Sequence, residues 1–297
     1  EALRTGRSMM YRCDLTADIS DAEGAICGGS AEVLIDVQPA GHTEVFRTMQ
    51  QDLRRGQHGA LLSLVTGEEG EAVAIERRWI AAPTDSTDPT GNPDTRQNAD
   101  LLQVIAQRSP VMMDVPRDLF PDQVEGSRLY VEPAYPLSQL VIIGAGHVGR
   151  ALAHYGRLLD FEVTVMDDRP ELANPDNIPD ADHHLVGDIG ATVRDLPISS
   201  NSYLVIVTRG HRGDADALRQ CIASRAAYIG MIGSRRKIAQ MREKFLAEGW
   251  ATPEQFDRVH APIGLDIDAK TVEEIGISIA AELVACRRMQ LRGERSS

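Results

Sequence analysis

The chain has 297 residues, enough for two domains with separate cores, and a formal net charge of −13. That balance argues against a nucleic-acid face, since the one compact basic cluster is Arg235-Arg236-Lys237. Nowhere does an apolar run reach the ~18 residues of a membrane span. The N-terminus, Glu1-Ala2-Leu3-Arg4-Thr5-Gly6-Arg7, lacks the apolar core of a signal peptide and lacks an initiator Met, which predicts a trimmed chain. Four scattered cysteines, with no C-x-x-C and no zinc-like spacing, predict a reducing, cytoplasmic setting.

In chain order, residues 1–36 carry strand signals ending in Glu32-Val33-Leu34-Ile35-Asp36-Val37. Residues 43–55 predict a helix with Val45, Phe46, Met49 and Leu53 on one face. Residues 60–66 and 71–80 predict two strands joined at Gly67-Glu68-Glu69-Gly70. Residues 83–98, rich in Pro, Asp, Thr and Asn, predict an exposed loop. A further strand is expected at 127–132, and Pro133-Ala134-Tyr135-Pro136 is the expected domain boundary because closely spaced prolines break regular structure.

From Gln139 onward strands and helices alternate. Leu140-Val141-Ile142-Ile143 runs into Gly144-Ala145-Gly146-His147-Val148-Gly149 and then an alanine-rich helical pattern. This is G-x-G-x-x-G between a strand and a helix. Gly144 permits the tight turn, Gly146 lets a pyrophosphate approach the backbone, and Gly149 lets helix pack close to strand. The helix start at His147 offers free N–H groups and a positive dipole end. The next strand, 161–166, ends in Asp167-Asp168, where a dinucleotide's ribose is normally held. Strands at 203–207 and 227–233, helices at 214–224 and 234–248, and a last helix opening on the capping box Thr271/Glu274 complete the pattern. The last helix is expected to bury Ile275, Ile279, Leu283 and Cys286. The expected fold class is α/β, a C-terminal doubly wound parallel sheet of Rossmann type over 139–297, preceded by a smaller α+β domain over 1–132.

Ligands of such sheets bind beyond the carboxyl ends of the strands. Thr208-Arg209-Gly210-His211 puts a cation, Arg209, and a candidate proton carrier, His211, at one such end. Gly233-Ser234-Arg235 opens a helix with a hydroxyl cap and cations, an anion cradle. His260, in His260-Ala261-Pro262-Ile263-Gly264-Leu265, reads as structural, as single histidines more often are. In Gly24-Ala25-Ile26-Cys27-Gly28-Gly29, composition favours a buried thiol beside a bulge, and the other reading is a thiolate able to bind metal or attack sulfur.

Together, the segments at 144–149, 208–211, 228–237 and 260–265 resemble the XdhC/CoxI family, accessory proteins of xanthine dehydrogenase and related molybdenum hydroxylases. The resemblance covers 139–290, continues in Asp14-Leu15-Thr16-Ala17-Asp18 and the Cys27 segment, and is loose over 40–127. It implies a homodimer that receives molybdenum cofactor transiently and helps load it into an apo molybdenum hydroxylase. The sulfido ligand is installed on the bound cofactor with a cysteine desulfurase as sulfur source. On this resemblance Cys27 is the expected contact to molybdenum or its sulfur, a soft ligand for that metal. The Rossmann loops, with Gly144, Gly146, His147, Gly149, Asp167, Arg209, Gly233, Ser234 and Arg235, would hold the pterin's phosphate, NAD or another nucleotide. The sequence departs from the family in starting about seventy residues late and in carrying Asp268 where Gly is usual. Two other functions fit the residues. One is an NAD(P)-dependent oxidoreductase using Asp167 and His211, and the other is a nucleotide-sensing regulatory module.

Overall fold

The structure is a computed structural model describing residues 1–14, 30–68, 70–82, 101, 103–105, 109–117 and 119–291. The chain divides into two compact units, Glu1–Pro136 and Leu137–Ser297. Cys27 and the expected loop over 83–98 lie outside the described residues.

In the first unit β1 (Met9–Asp14) and β2 (Ser30–Ile35) pair antiparallel. A second antiparallel sheet has the order β4-β3-β6-β5, from β3 (Gly59–Thr66), β4 (Ala74–Ala81), β5 (Val111–Met113) and β6 (Arg128–Ala134). Alternation sets its faces. Ala60, Leu62, Leu64, Leu129 and Val131 share a core with Leu101, Ile105 and Phe120, while Val65 joins Met10 and Val73 in a separate cluster. Helix α1 (Thr43–Arg54) fixes itself to β4 through Trp79, whose indole N–H donates to Asp52 at 2.8 Å.

The expected break at Pro133 falls inside β6, which continues through it, opposite Ala60 of β3. On its other side β5 pairs with β6 as far as Val131, so among the described residues no strand asks for the N–H that Pro133 lacks. The chain leaves the unit at Pro136.

The second unit is a five-stranded, wholly parallel sheet of order β11-β10-β7-β8-β9. Its strands are β7 (Gln139–Ile143), β8 (Glu162–Asp167), β9 (His183–Val186), β10 (Ser202–Ile206) and β11 (Tyr228–Met231). Central β7 shows why the sheet is doubly wound. Leu140 and Ile142 enter one core with Leu152, Ala153, Ile279 and Leu283. Val141 and Ile143 enter another with Ala217, Leu218, Met241 and Phe245. The first core holds α2 (His147–Leu158) and α7 (Val272–Leu291), and the second holds α4 (His211–Cys221) and α5 (Arg235–Ala247). Short α3 (Ile189–Asp195) and α6 (Pro253–Asp257) complete it. The expected capping box opens α7, with Glu274 N–H donating to Thr271 Oγ1 at 3.2 Å and Thr271 N–H to Glu274 Oε2 at 2.9 Å. Among the described residues no helix is long and apolar enough to cross a membrane.

Candidate functional site

The strand order reverses between β7 and β10, and in such sheets that point opens the ligand crevice. The loops after these two strands touch there. Gly144 has φ +119, and a Cβ on it would stand 2.4 Å from Val207 O. Gly149 lies so close beneath the turn that its Cβ would meet Gly144 O at 1.9 Å. A Cβ on Gly146, by contrast, meets nothing within 4 Å. Two glycines thus serve close packing and one faces open space.

Gly146 is the N-cap of α2 and offers no side chain to the helix's first N–H groups. Those donors and the dipole's positive end face outward beside exposed His147. The opening fits a phosphate. A groove of about 600 Å³ begins at His147 and runs along Arg150 and His154 toward Asp176 and Asp180.

Asp167, the last residue of β8, is 2 % exposed. Its Oδ2 accepts from Ala145 N–H at 2.8 Å and Arg169 Nη2 at 3.0 Å. Its Oδ1 accepts from Arg169 Nε at 2.8 Å and Arg169 N–H at 3.1 Å. Burial pushes the carboxyl up, but the hydrogen bonds from Arg169 and Ala145 outweigh it and hold the group below the usual carboxylate range. With both oxygens filled, a ribose hydroxyl would have to displace Arg169. Asp167 therefore ties the glycine turn to the end of β8, a link that its sequence position did not suggest.

After β10, Thr208 donates through Oγ1 to Asp214 Oδ1 at 2.6 Å and through N–H at 3.2 Å. This folds the Thr208–Gly210 turn back on α4, with Arg209 exposed at its tip. The backbone of His211 opens α4. After β11, Ser234 caps α5 by accepting from Lys237 N–H at 3.4 Å. Arg235 lies 3.8 Å from Asp266, both on the surface. Gly233 packs on Ile238. The Rossmann-domain candidates thus share the carboxyl edge of one sheet, with direct contact from the β8 end through the glycine turn to the β10 end.

A polar cluster that sequence reasoning passed over lies where the loop between α6 and α7 meets β11 and α7. Glu282 of α7 accepts from Gly264 N–H at 2.8 Å and from the Tyr228 hydroxyl, and its Oε1 is 3.0 Å from His260 Nδ1. His260 Nε2 lies 4.0 Å from Cys286 Sγ, and the His260 and Tyr228 rings are 4.5 Å apart. The hydrogen bonds to Cys286 and Glu282 push the imidazole up to about 9 against desolvation. Burial pushes the Glu282 carboxyl up, and its bonds to His260, Tyr228 and Gly264 outweigh that and lower it. Burial holds the Tyr228 phenol well above its ordinary value. The available signal was the four-residue spacing of Ser278, Glu282 and Cys286, which puts a hydroxyl and a carboxylate in line with a thiol on one side of α7.

In the same loop Asp268 has φ +55, the left-handed region that glycine occupies freely. Asp268→Gly should change stability by less than about 1 kcal/mol, while Asp268→Val should cost about 1–2 kcal/mol. Thermal denaturation of both variants checks this, and equal stability would mean the loop relaxes.

Residues 140–283 match the XdhC Rossmann domain family. Over 151 residues the chain is 39 % identical to the uncharacterized protein YqeB of Escherichia coli (strain K12), covering 49 % of this chain and 27 % of that one. Over 162 residues it is 26 % identical to a probable xanthine dehydrogenase subunit of Bacillus subtilis (strain 168), covering 54 % of this chain and 47 % of that one. The chain thus spans about a quarter and about half of these two relatives. A crystal structure of a xanthine dehydrogenase from Bacillus halodurans superposes with a TM-score of 0.70 at 21 % identity, over 97 % of this chain and 78 % of that one, a likeness of fold.

Proposed function

Through residues 140–283 the chain belongs to the XdhC family, and on that premise we propose that it is an accessory protein of a xanthine dehydrogenase-type molybdenum hydroxylase. In this reading it binds molybdenum cofactor, assists its sulfuration with a cysteine desulfurase as sulfur source, and passes it to the apoenzyme, working in the cytoplasm as a homodimer. The observation that carries the reading is the pairing of an XdhC Rossmann domain with a turn built for an anion. Gly146 faces open space and α2 has no side-chain cap.

The cofactor's phosphate fits this cradle, where the first N–H groups of α2 would hold it while Gly144 and Gly149 keep turn and helix in register. NAD or another nucleotide fits the same cradle through its pyrophosphate. The cofactor supplies molybdenum redox and sulfur chemistry, and the expected soft ligand is Cys27. What the chain itself contributes is binding and orientation. The oxidoreductase reading is weaker because it asks Asp167 to hold ribose, and Asp167 is filled by Ala145 and Arg169.

A thermal-shift screen with molybdenum cofactor, NAD, NADP, FAD and CTP tests this on the wild-type chain and Cys27→Ala. A ligand at ~100 times its Kd should add about 2.7 kcal/mol of stability. Molybdenum cofactor should stabilise the wild type, and Cys27→Ala should weaken that at least ~tenfold. Stabilisation by a nicotinamide nucleotide alone, unchanged in Cys27→Ala, would overturn the proposal.

A further inference from the structure

We propose that Cys286, His260 and Glu282 form a thiol-exchange site on the Rossmann domain, at which Cys286 attacks small disulfides. The proposal is independent of the cofactor reading and uses none of its residues.

The geometry is that of a nucleophile, an imidazole beside it and a group that orients the imidazole. Glu282 fixes the His260 ring through Nδ1 at 3.0 Å, which leaves Nε2 aimed at Cys286 Sγ, 4.0 Å away. Glu282 is itself held by Gly264 N–H and the Tyr228 hydroxyl, so the ring cannot swing freely. The titratable groups facing His260 are Glu282 and Cys286 from α7 and Tyr228 from β11. At neutral pH the imidazole is protonated and presents an N–H to the sulfur. Cys286 is 7 % exposed, and the neighbouring His260 side chain is 33 % exposed.

Cys221 of the same domain provides the contrast. It is fully buried, it donates to Leu218 O, and burial pushes its thiol up to about 12. A structural thiol should behave as Cys221 does.

The exchange step balances without any further reagent. The Cys286 thiol gives its proton to solvent, and its sulfur attacks one sulfur of R–S–S–R in line with the other. The S–S bond breaks and a Cys286–S–S–R mixed disulfide forms. The departing thiolate leaves with the bonding electron pair and takes a proton from solvent as R–SH. Cys286 is oxidised to the disulfide level as one R–S group is reduced to thiol.

The test is the rate of mixed-disulfide formation on the folded full chain with hydroxyethyl disulfide at pH 7, resolved for each cysteine by acid quench and peptide mapping. Cys286 should react at least ~tenfold faster than Cys221. His260→Gln should slow Cys286 at least ~tenfold and leave Cys221 unchanged. Equal rates at the two cysteines, or a Cys286 rate indifferent to His260→Gln, would overturn the proposal. If His260→Gln fails to fold, Glu282→Gln decides by the same criterion, because it removes the carboxylate that orients the His260 ring: a Cys286 rate slowed at least ~tenfold supports the site, and a smaller change overturns it.

Discussion

Gly149→Ala should cost about 3 kcal/mol or more, lowering the urea midpoint of the C-terminal domain steeply, because its one added methyl would stand 1.9 Å from Gly144 O. The obstacle is backbone on both sides. Gly144 O belongs to a turn that is pinned by Gly144 N–H donating to Met166 O at 2.8 Å and by Asp167 holding Ala145. The helix cannot retreat either, since Gly156, two turns on, packs with its would-be Cβ 2.6 Å from Leu140. Gly146→Ala is the matched control. Its methyl enters open space, and at an N-cap the exchange should cost about 1 kcal/mol or less. It should instead weaken binding of a phosphate-bearing ligand at least ~tenfold by filling the approach to the helix end. Urea melts and ligand titration on both variants separate the two effects. A Gly149→Ala protein as stable as wild type would show that turn and helix are not in this contact.

The second large effect is a pH dependence centred on His260. Its folded value, about 9, lies above the ordinary ~6.5 of an unfolded chain. The stability it contributes is therefore fully present below about pH 6.5 and lost as pH rises through about 9. With the side chain a third exposed, solvent screening reduces the contribution to about 1–2 kcal/mol. Glu282 works in the opposite sense, because its folded value is lowered. Its contribution is present above about pH 4.5 and lost as pH falls through that lowered value. Urea melts between pH 6 and 9.5 should show stability declining on the alkaline side, and His260→Gln should flatten that limb. Glu282→Ala should cost about 3 kcal/mol at pH 7, since it strips acceptors from a buried hydroxyl, a backbone N–H and an imidazolium together. An alkaline limb unchanged in His260→Gln would place the titration elsewhere.

Continuous apolar runs made β7 and β10 readable, and the glycine spacing made the turn between β7 and α2 readable. Both are local patterns, with periods the backbone imposes. Strand β9 was missed because its four residues, His-His-Leu-Val, make a short edge strand with little apolar signal. Short α3 and α6 were missed for the same want of length. Asp167 was legible as a strand-end carboxylate, but its partner Ala145 sits on another strand's loop. Only the sheet register brings the two together, and that changes what the carboxylate is available to do. The Tyr228, His260, Glu282 and Cys286 cluster comes from a strand, a loop and a helix far apart in the chain. Each residue alone is unremarkable, and Cys286 fits the apolar face of α7 by spacing.

The backbone bridge between Gly230 and His260 settles how this sheet meets its surroundings. Met231 N–H donates to His260 O and His260 N–H to Ile229 O, so the outer side of β11 is already occupied by its own chain. Unpaired strand edges invite other chains to add to them. Of the two outermost strands of the parallel sheet, β9, only four residues long, has no such cover among the described residues. A bridge inside the chain thus takes up the outer edge of β11, and the edge left to β9 is short.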